Sequence, residues 1–483
     1  MQPSPSAPEV RHTWAQSDRF VPRSFVRPLQ RFMDTEASGA IFMLVAAVAA
    51  LAWANSPWWR AQETLWSTEL VIELGHLAHI ELTLVEWIND ALMAIFFFVV
   101  GLEIKRELVH GELRDPRKAA LPAIGALGGM VIPAAIFFAF NVGTDASRGW
   151  GIPMATDIAF AVAVVALVGP KIPSAAKVFL LTLAIADDIG AILVIAVFYT
   201  DQLSLGWLGL ALLTLVLLVM SKRLQIRSLS IYVAAALFLW FAVHESGVHA
   251  TLAGVALGLL TPAWSFFDPR RFAPDARQLV DAAAEAYDDE VMTEHEYELN
   301  QARLEDLSLL VTETQSPLER LEHKLQGWVA FVIVPLFAFS NAGVRLTSEA
   351  LDGIATDRVV LGVALGLLVG KTVGVFTFTW AADRLRIGAL PTGVTYRHVL
   401  GLAVTAGIGF TVALFVAGLA FEPGTFTDSA KIGILSGSLV AGLLGYFLLR
   451  TSPPAPPVEA HDHGVPSHTE SQHRTPRPTP SEA

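Results

Sequence analysis

Between residues 35 and 450, stretches of roughly 20 apolar residues alternate with polar loops. Each stretch is long enough, at about 1.5 Å per residue, to cross a hydrocarbon core about 30 Å thick. Twelve segments are expected, near 38–55, 86–104, 119–140, 150–169, 175–200, 204–221, 230–243, 247–261, 327–344, 359–382, 398–420 and 430–449. Segments 230–243 and 247–261 are short for a span. The pattern predicts an all-α polytopic membrane protein with about 12 transmembrane helices.

Three stretches break the pattern. Residues 69–84, ELVIELGHLAHIELTL, alternate in part and carry Gly75 between the halves. This predicts an extracytoplasmic β-hairpin, with a helix lying on the membrane surface as the alternative. Residues 275–324 read as helical and acidic, overlapping a long acidic cytoplasmic insertion over 263–320. Residues 451–483 are rich in Pro, Ser, Thr and His and lack apolar periodicity, which predicts a disordered tail. His461 and His463 in that tail are read as solvated rather than metal-bound. The domains expected are an N-terminal arm (1–34), a transmembrane domain (35–450) and the tail.

Composition agrees: 53% of residues are hydrophobic and only 16% charged, with mean hydropathy +0.51, against about 25% charged in soluble domains. There is no cysteine, which excludes disulfides and thiol chemistry and leaves the redox compartment open. The net charge of −12 comes mostly from residues 263–320, with fourteen Asp/Glu against five Arg/Lys. Nucleic-acid binding has no support. The N-terminus has no short apolar core with a small-residue cleavage site, so no removable signal peptide is expected.

Basic residues cluster in every second loop: Arg11, Arg19, Arg23, Arg27 and Arg31; Lys105 to Lys118; Lys171 and Lys177; Lys222, Arg223 and Arg227; then Arg384, Arg386 and Arg397. The positive-inside rule puts both termini in the cytoplasm, in keeping with an even number of spans.

The chemistry lies inside the apolar segments. Asp157, Asp187, Asp188, Lys371 and, nearer a segment end, Asp90 are ionisable groups at membrane depth. Each costs about 2.5–3.5 kcal/mol at mid-bilayer, so three carboxylates and a lysine left unpaired would cost roughly 10 kcal/mol. They must face a polar cavity, pair, or be partly neutral. A purely structural salt bridge needs one carboxylate per lysine, and here there are three. Asp187 and Asp188 lie about 100° apart around a helix. One can line a cavity while the other turns to a neighbouring helix, toward Lys371. Burial and a like neighbour both disfavour a charged carboxylate, so such a pair can exchange protons. Carboxylates are also hard oxygen ligands suited to small cations.

Two segments read as broken. Pro153 precedes Thr156 and Asp157 in GIPMATDIAF (151–160), and Gly407 and Gly409 weaken TAGIGFT (405–411). Unwound backbone at membrane depth needs protein or a water-filled cavity to satisfy it. Asp157 is expected to compensate converging helix N-termini, and Lys371 converging C-termini. The plainer reading of each break is an ordinary kink.

At these residues the sequence resembles the NhaA-type sodium/proton antiporters. NDALMAIFFFVVGLEIKREL (89–108), ATDIAFA (155–161), LAIADDIGAI (183–192), SGVHATLAGV (246–255), LEHKLQGWVAFVIVPLFAFSNAGV (321–344), GLLVGKTVGV (366–375) and AGIGFTVALF (406–415) occur in the family's order, over roughly residues 30 to 450. The resemblance implies inverted repeats, with segments 4 and 11 broken and crossing. It implies that Asp188 is the main Na⁺ ligand and Asp187 its partner, that Asp187 pairs with Lys371 when no cation is bound, and that Thr156 and Asp157 sit at the crossing. It links Glu103, Arg106, Glu107, His249 and Glu322 to pH response, and gives Asp90 a similar standing. It implies a homodimer through residues 64–84, and no cofactor beyond the transported Na⁺ (or Li⁺) and H⁺. The function implied is electrogenic, pH-regulated Na⁺ export against H⁺ import by alternating access in a bacterial inner membrane. That is transport rather than enzymatic catalysis.

Two features depart from the family: the long acidic insertion before Glu322, and Gln326-Gly327 where many relatives have His-Pro. A K⁺ antiporter and a non-transporting ion sensor are the alternatives. An intramembrane aspartyl protease is disfavoured, because its two aspartates sit on separate helices and no GxGD run is present: GIGF at 407–410 ends in phenylalanine.

Overall fold

The computed structural model describes residues 33, 35, 37–74, 78–200, 203–224, 226, 228–285, 294–348 and 353–453. The N-terminal arm up to 32, the Gly75 turn, and His461 and His463 lie outside these. In chain order the elements begin with α1 (Ser38–Ala54), α2 (Trp59–Trp66), β1 (Glu69–Leu74) and β2 (Ala78–Thr83). Next come α3 (Leu84–Val109), α4 (Pro116–Asn141), a 3₁₀ run over Asp145–Met154, α5 (Ile158–Val168), α6 (Ser174–Phe198) and α7 (Leu205–Arg223). They are followed by α8 (Leu229–Glu245), α9 (Thr251–Leu260), α10 (Pro269–Glu285), α11 (Glu294–Thr314) and α12 (Pro317–Asn341). The last are α13 (Arg358–Arg384), α14 (Tyr396–Thr405), α15 (Phe410–Ala420) and α16 (Thr425–Arg450).

Among the described residues, seven helices are long and apolar enough to cross a membrane: α3, α4, α6, α7, α12, α13 and α16. Three further pairs qualify only when joined across a bend: α1 with α2 at 116°, the 3₁₀ run with α5 at 41°, and α14 with α15 at 47°. α8 and α9 are shorter apolar helices. The architecture is that of a polytopic membrane protein.

Local chemistry sets many of the boundaries. α4 starts with Pro116 behind an Asp115 cap, and α12 with Pro317 behind Ser316, whose hydroxyl accepts the Glu319 amide. Thr83 and Glu86 close a reciprocal capping box where β2 runs into α3. The hairpin forms as the alternation predicts, antiparallel with Ile72 opposite Ile80. It begins at Glu69, however; residues 64–66 belong to α2, a helix that the sequence reading did not expect. The expected insertion is a pair of helices, α10 and α11, packed on each other.

Small residues let the long helices pack backbone to backbone. A Cβ on Gly374 of α13 would lie 2.1 Å from the Gly128 carbonyl oxygen of α4, so a larger residue at this crossing would force the helices apart. α3 packs along α9 in the same manner. α3, α12 and α13 each contain a π-helical turn, over Ile88–Leu92, Val329–Ile333 and Gly366–Gly370. The third lies directly before Lys371.

Candidate functional site

The site is built where two broken helices meet. Ala155 and Asp157 are extended, so the chain leaves the 3₁₀ run and restarts as α5 only at Ile158. Residues 406–409 interrupt the second pair. Two hydrogen bonds join the breaks: the Asp157 amide donates to the Ile408 carbonyl at 2.6 Å, and the Thr156 hydroxyl to the Ala406 carbonyl at 2.9 Å. A Cβ on Gly407 would come within 2.5 Å of the Leu367 carbonyl oxygen, so the second break also lies against the π turn of α13.

Asp157 serves two helix N-termini at once. One carboxylate oxygen accepts the Phe160 amide of α5 at 3.2 Å. The other accepts the Thr411 amide of α15 at 3.1 Å and its hydroxyl at 2.5 Å. Both helices expose unpaired N–H groups and partial positive charge at mid-protein, and a single carboxylate takes up both. Asp157 thus bridges the starts of α5 and α15.

Asp187 and Asp188 stand on α6, which runs unbroken past the crossing. Asp187 is fully buried, and its Oδ2 accepts the Lys371 ammonium at 2.5 Å. Lys371 is also fully buried, and Asp187 is its only hydrogen-bond partner among the described residues. Asp187 Oδ1 is buried and has no hydrogen-bond partner there, although Thr156 lies within interaction range of this carboxyl. Asp188 points elsewhere. It is 8% exposed, makes no hydrogen bond among the described residues, and is acted on most by the charges of Asp187, Glu103, Lys371 and Asp157. Two carboxylates therefore lie side by side with oxygens left over, which suits a proton or a small hard cation.

Four of the residues linked to pH response gather where the end of α3 meets the start of α12. Arg106 forms an ion pair with Glu322 and lies 3.9 Å from Glu107. Glu103 faces the charges of Glu322, Arg106 and Glu107. Glu107 also accepts the Glu112 amide. His249 lies in the turn before α9, outside this cluster of ion pairs. Beside the cluster, an open cavity of about 660 Å³ is lined by Glu107, His110, Glu112, Lys118 and, on α6, Val178 and Thr182. The α6 face at 178, 181 and 182 continues through 185 to 188, placing Asp188 about 9 Å further along the axis than Thr182.

Asp90 is not brought to the site. It sits on the π turn of α3, 3.7 Å from His244 of α8, about 20 Å along the axis from Glu103. Sequence reasoning also missed Thr411 and Ser438. The Ser438 hydroxyl on α16 accepts the amides of Gly409 and Phe410, each at 3.2 Å. Ser438 carries no charge, and nothing in its sequence spacing marks it.

Comparison with known proteins bears on this arrangement. The family described as Na⁺/H⁺ antiporter 1 matches residues 30–449. The Na⁺/H⁺ antiporter NhaA of an Anaeromyxobacter species is 47% identical over 430 residues, 89% of this chain and 92% of its own. The Na⁺/H⁺ antiporter NhaA 2 of Myxococcus xanthus is 46% identical over 431 residues, 88% of this chain and 90% of its own. The Na⁺/H⁺ antiporter NhaA of Helicobacter pylori is 44% identical over 423 residues, 87% and 94% respectively. With the whole helical body matched in this way, the chain belongs to the Na⁺/H⁺ antiporter 1 family.

Proposed function

We propose that this protein is an electrogenic sodium (or lithium)/proton antiporter that exports Na⁺ and imports H⁺. One observation carries the reading: Asp187 is held by Lys371 through one oxygen while its other oxygen and the whole Asp188 carboxylate stay free of hydrogen bonds among the described residues. A dehydrated Na⁺ needs several oxygen ligands in place of water. Asp188 supplies the first, and Asp187 joins when Lys371 releases it, with Thr156 adjacent. Protons bind the same oxygens, so cation and proton exclude each other. Two protons leave per cation, from both carboxylates or from one carboxylate and Lys371, so each cycle moves net charge.

Alternating access carries the site between the two faces, with twelve spans in two inverted repeats and the α5 and α15 breaks crossing at the middle. Both termini and the acidic insertion face the cytoplasm, and the hairpin faces outward and joins two copies. The membrane is a bacterial inner membrane. Glu103, Arg106, Glu107, His249 and Glu322 tune the response to pH, and Asp157 fixes the crossing.

The test is ΔpH collapse in energised everted vesicles on adding Na⁺, Li⁺ or K⁺ between about pH 6.5 and 8.5, a window chosen to vary the proton competition. The expected response is to Na⁺ and Li⁺ and grows with pH. A response to K⁺ alone would move the selectivity, and silence to all three would end the transport reading. Asp188→Asn is expected to abolish the response; normal transport by that variant would show that the ion site has been misassigned.

A further inference from the structure

The unwound segment 406–409 is held from two sides. From just before α5, the Asp157 amide and the Thr156 hydroxyl donate to the carbonyls of Ile408 and Ala406, and the Asp157 carboxylate accepts the Thr411 amide. From α16, Ser438 takes the amides of Gly409 and Phe410. Helix α15 thus begins with three successive amides, 409, 410 and 411, satisfied by side chains of other helices. An ordinary N-terminus would use its own preceding residue as the cap. Gly409 stands in that position and has no side chain to offer.

The neighbourhood of Ser438 is arranged for this contact. It is buried, and the residues one turn further along α16 back the same segment: Ala441 lies against Gly407, and Gly442 against Ile408. Ser436, two residues earlier, bonds to the Ile432 and Gly433 carbonyls of its own helix and, among the described residues, to no other helix. Of these two serines, only Ser438 lies at the helix phase that faces the break.

We propose that Ser438 is a positioning residue of the ion site. Its hydroxyl oxygen fixes the 406–409 backbone, and that backbone in turn sets where Thr156 stands beside Asp187 and where the Asp157 charge faces Asp188. Ser438 touches no ion. Its removal loosens the crossing and weakens cation binding more than it weakens turnover. This inference rests on the ion-site reading above.

The test compares wild type with Ser438→Ala and Ser438→Thr in the same vesicles, together with hydrogen exchange of the 405–415 peptide in purified full-length protein. Leaving two buried amides without an acceptor should raise the half-saturating Na⁺ concentration about 3–10-fold in S438A. The maximal response should fall much less. Amide exchange in 405–415 should quicken and the melting temperature fall modestly, while exchange elsewhere stays close to wild type. Thr keeps the hydroxyl and should restore both readouts. Should S438A fail to accumulate in membranes, Ser438→Cys keeps the volume with a weaker acceptor and should shift both readouts in the same direction.

Wild-type half-saturation and wild-type exchange in S438A would overturn the proposal while leaving the transport reading intact. A uniform loss of stability, with no change in half-saturation, would reduce Ser438 to a packing residue. A wild-type protein silent to every cation would instead remove the ion-site reading, and this proposal would fall with it.

Discussion

Lys371 and Asp187 hold each other where neither is exposed, and such a buried pair is asymmetric in its energetics. Forming it gains little net stability, whereas removing one partner strands a buried charge at a cost of about 3–5 kcal/mol. Lys371→Met should therefore lower the melting temperature in detergent sharply. Lys371→Met combined with Asp187→Leu should recover most of the loss without recovering transport. Asp157 behaves differently, because its partners are amides and a hydroxyl. Asp157→Ala uncaps two helices at about 1 kcal/mol each. It should thus destabilise more than Asp157→Asn, which keeps one acceptor oxygen, and a melting series would rank the two. The aspartates and the lysine were legible in the sequence because charge at membrane depth is costly enough to demand a reason. Thr411 and Ser438 were not. Hydroxyls are common in apolar helices, where most bond their own backbone as Ser436 does, and only helix phase separates the exception from the rule.

At the scale of elements, the two breaks could be read from Pro153, Gly407 and Gly409, and the hairpin from its alternation. The short helix α2 could not be read, since eight residues hold too few turns for a clear period. Nor could the π turn before Lys371, which differs from α-helix by the placement of one hydrogen bond. Yet that turn lies where Gly407 must be small. Gly407→Ala would drive a methyl into the Leu367 carbonyl. Its expected outcome is loss of Na⁺ response with at least partial retention of folded protein, because the rest of α14 and α15 keeps its packing; response and melting curve measured on the same preparation separate the two effects. Gly374→Ala should instead part α13 from α4 and fail in folding, seen as lost expression or aggregation in size-exclusion chromatography.

For the whole molecule, apolar periodicity located the helices but gave no information on which ones pair. Pairings such as α3 with α9 and α4 with α13 depend on where facing glycines let two backbones meet, which a single chain read linearly does not order. The acidic insertion was legible as helical, and α10 and α11 pack chiefly on each other. Replacing residues 269–314 with a short flexible linker should therefore leave the membrane body folded and Na⁺-responsive, and any change should appear in the pH profile alone. An unchanged profile would remove the insertion from regulation. The proposed competition between protons and cation for shared oxygens sets a sign for the intact protein. Half-saturating Na⁺ should fall as pH rises, by at most about tenfold per pH unit for each proton displaced. Titrating the vesicle response at several pH values would show whether the fall has this direction.

The Lys371–Asp187 bridge also determines what a membrane voltage can act on. Voltage does work of about 2.3 kcal/mol per elementary charge per 100 mV, and it acts on the net charge of whatever crosses the field. Joined, the lysine and the aspartate cancel, so with the bridge closed the field meets the carboxylates that remain, Asp157 and Asp188. Each proton that Asp188 takes up or gives away then changes the electrical load by a full unit. In the proposed exchange that takes its second proton from Lys371, a closed bridge and a protonated Asp188 are together neutral, so voltage acts on the stroke made with the bridge open.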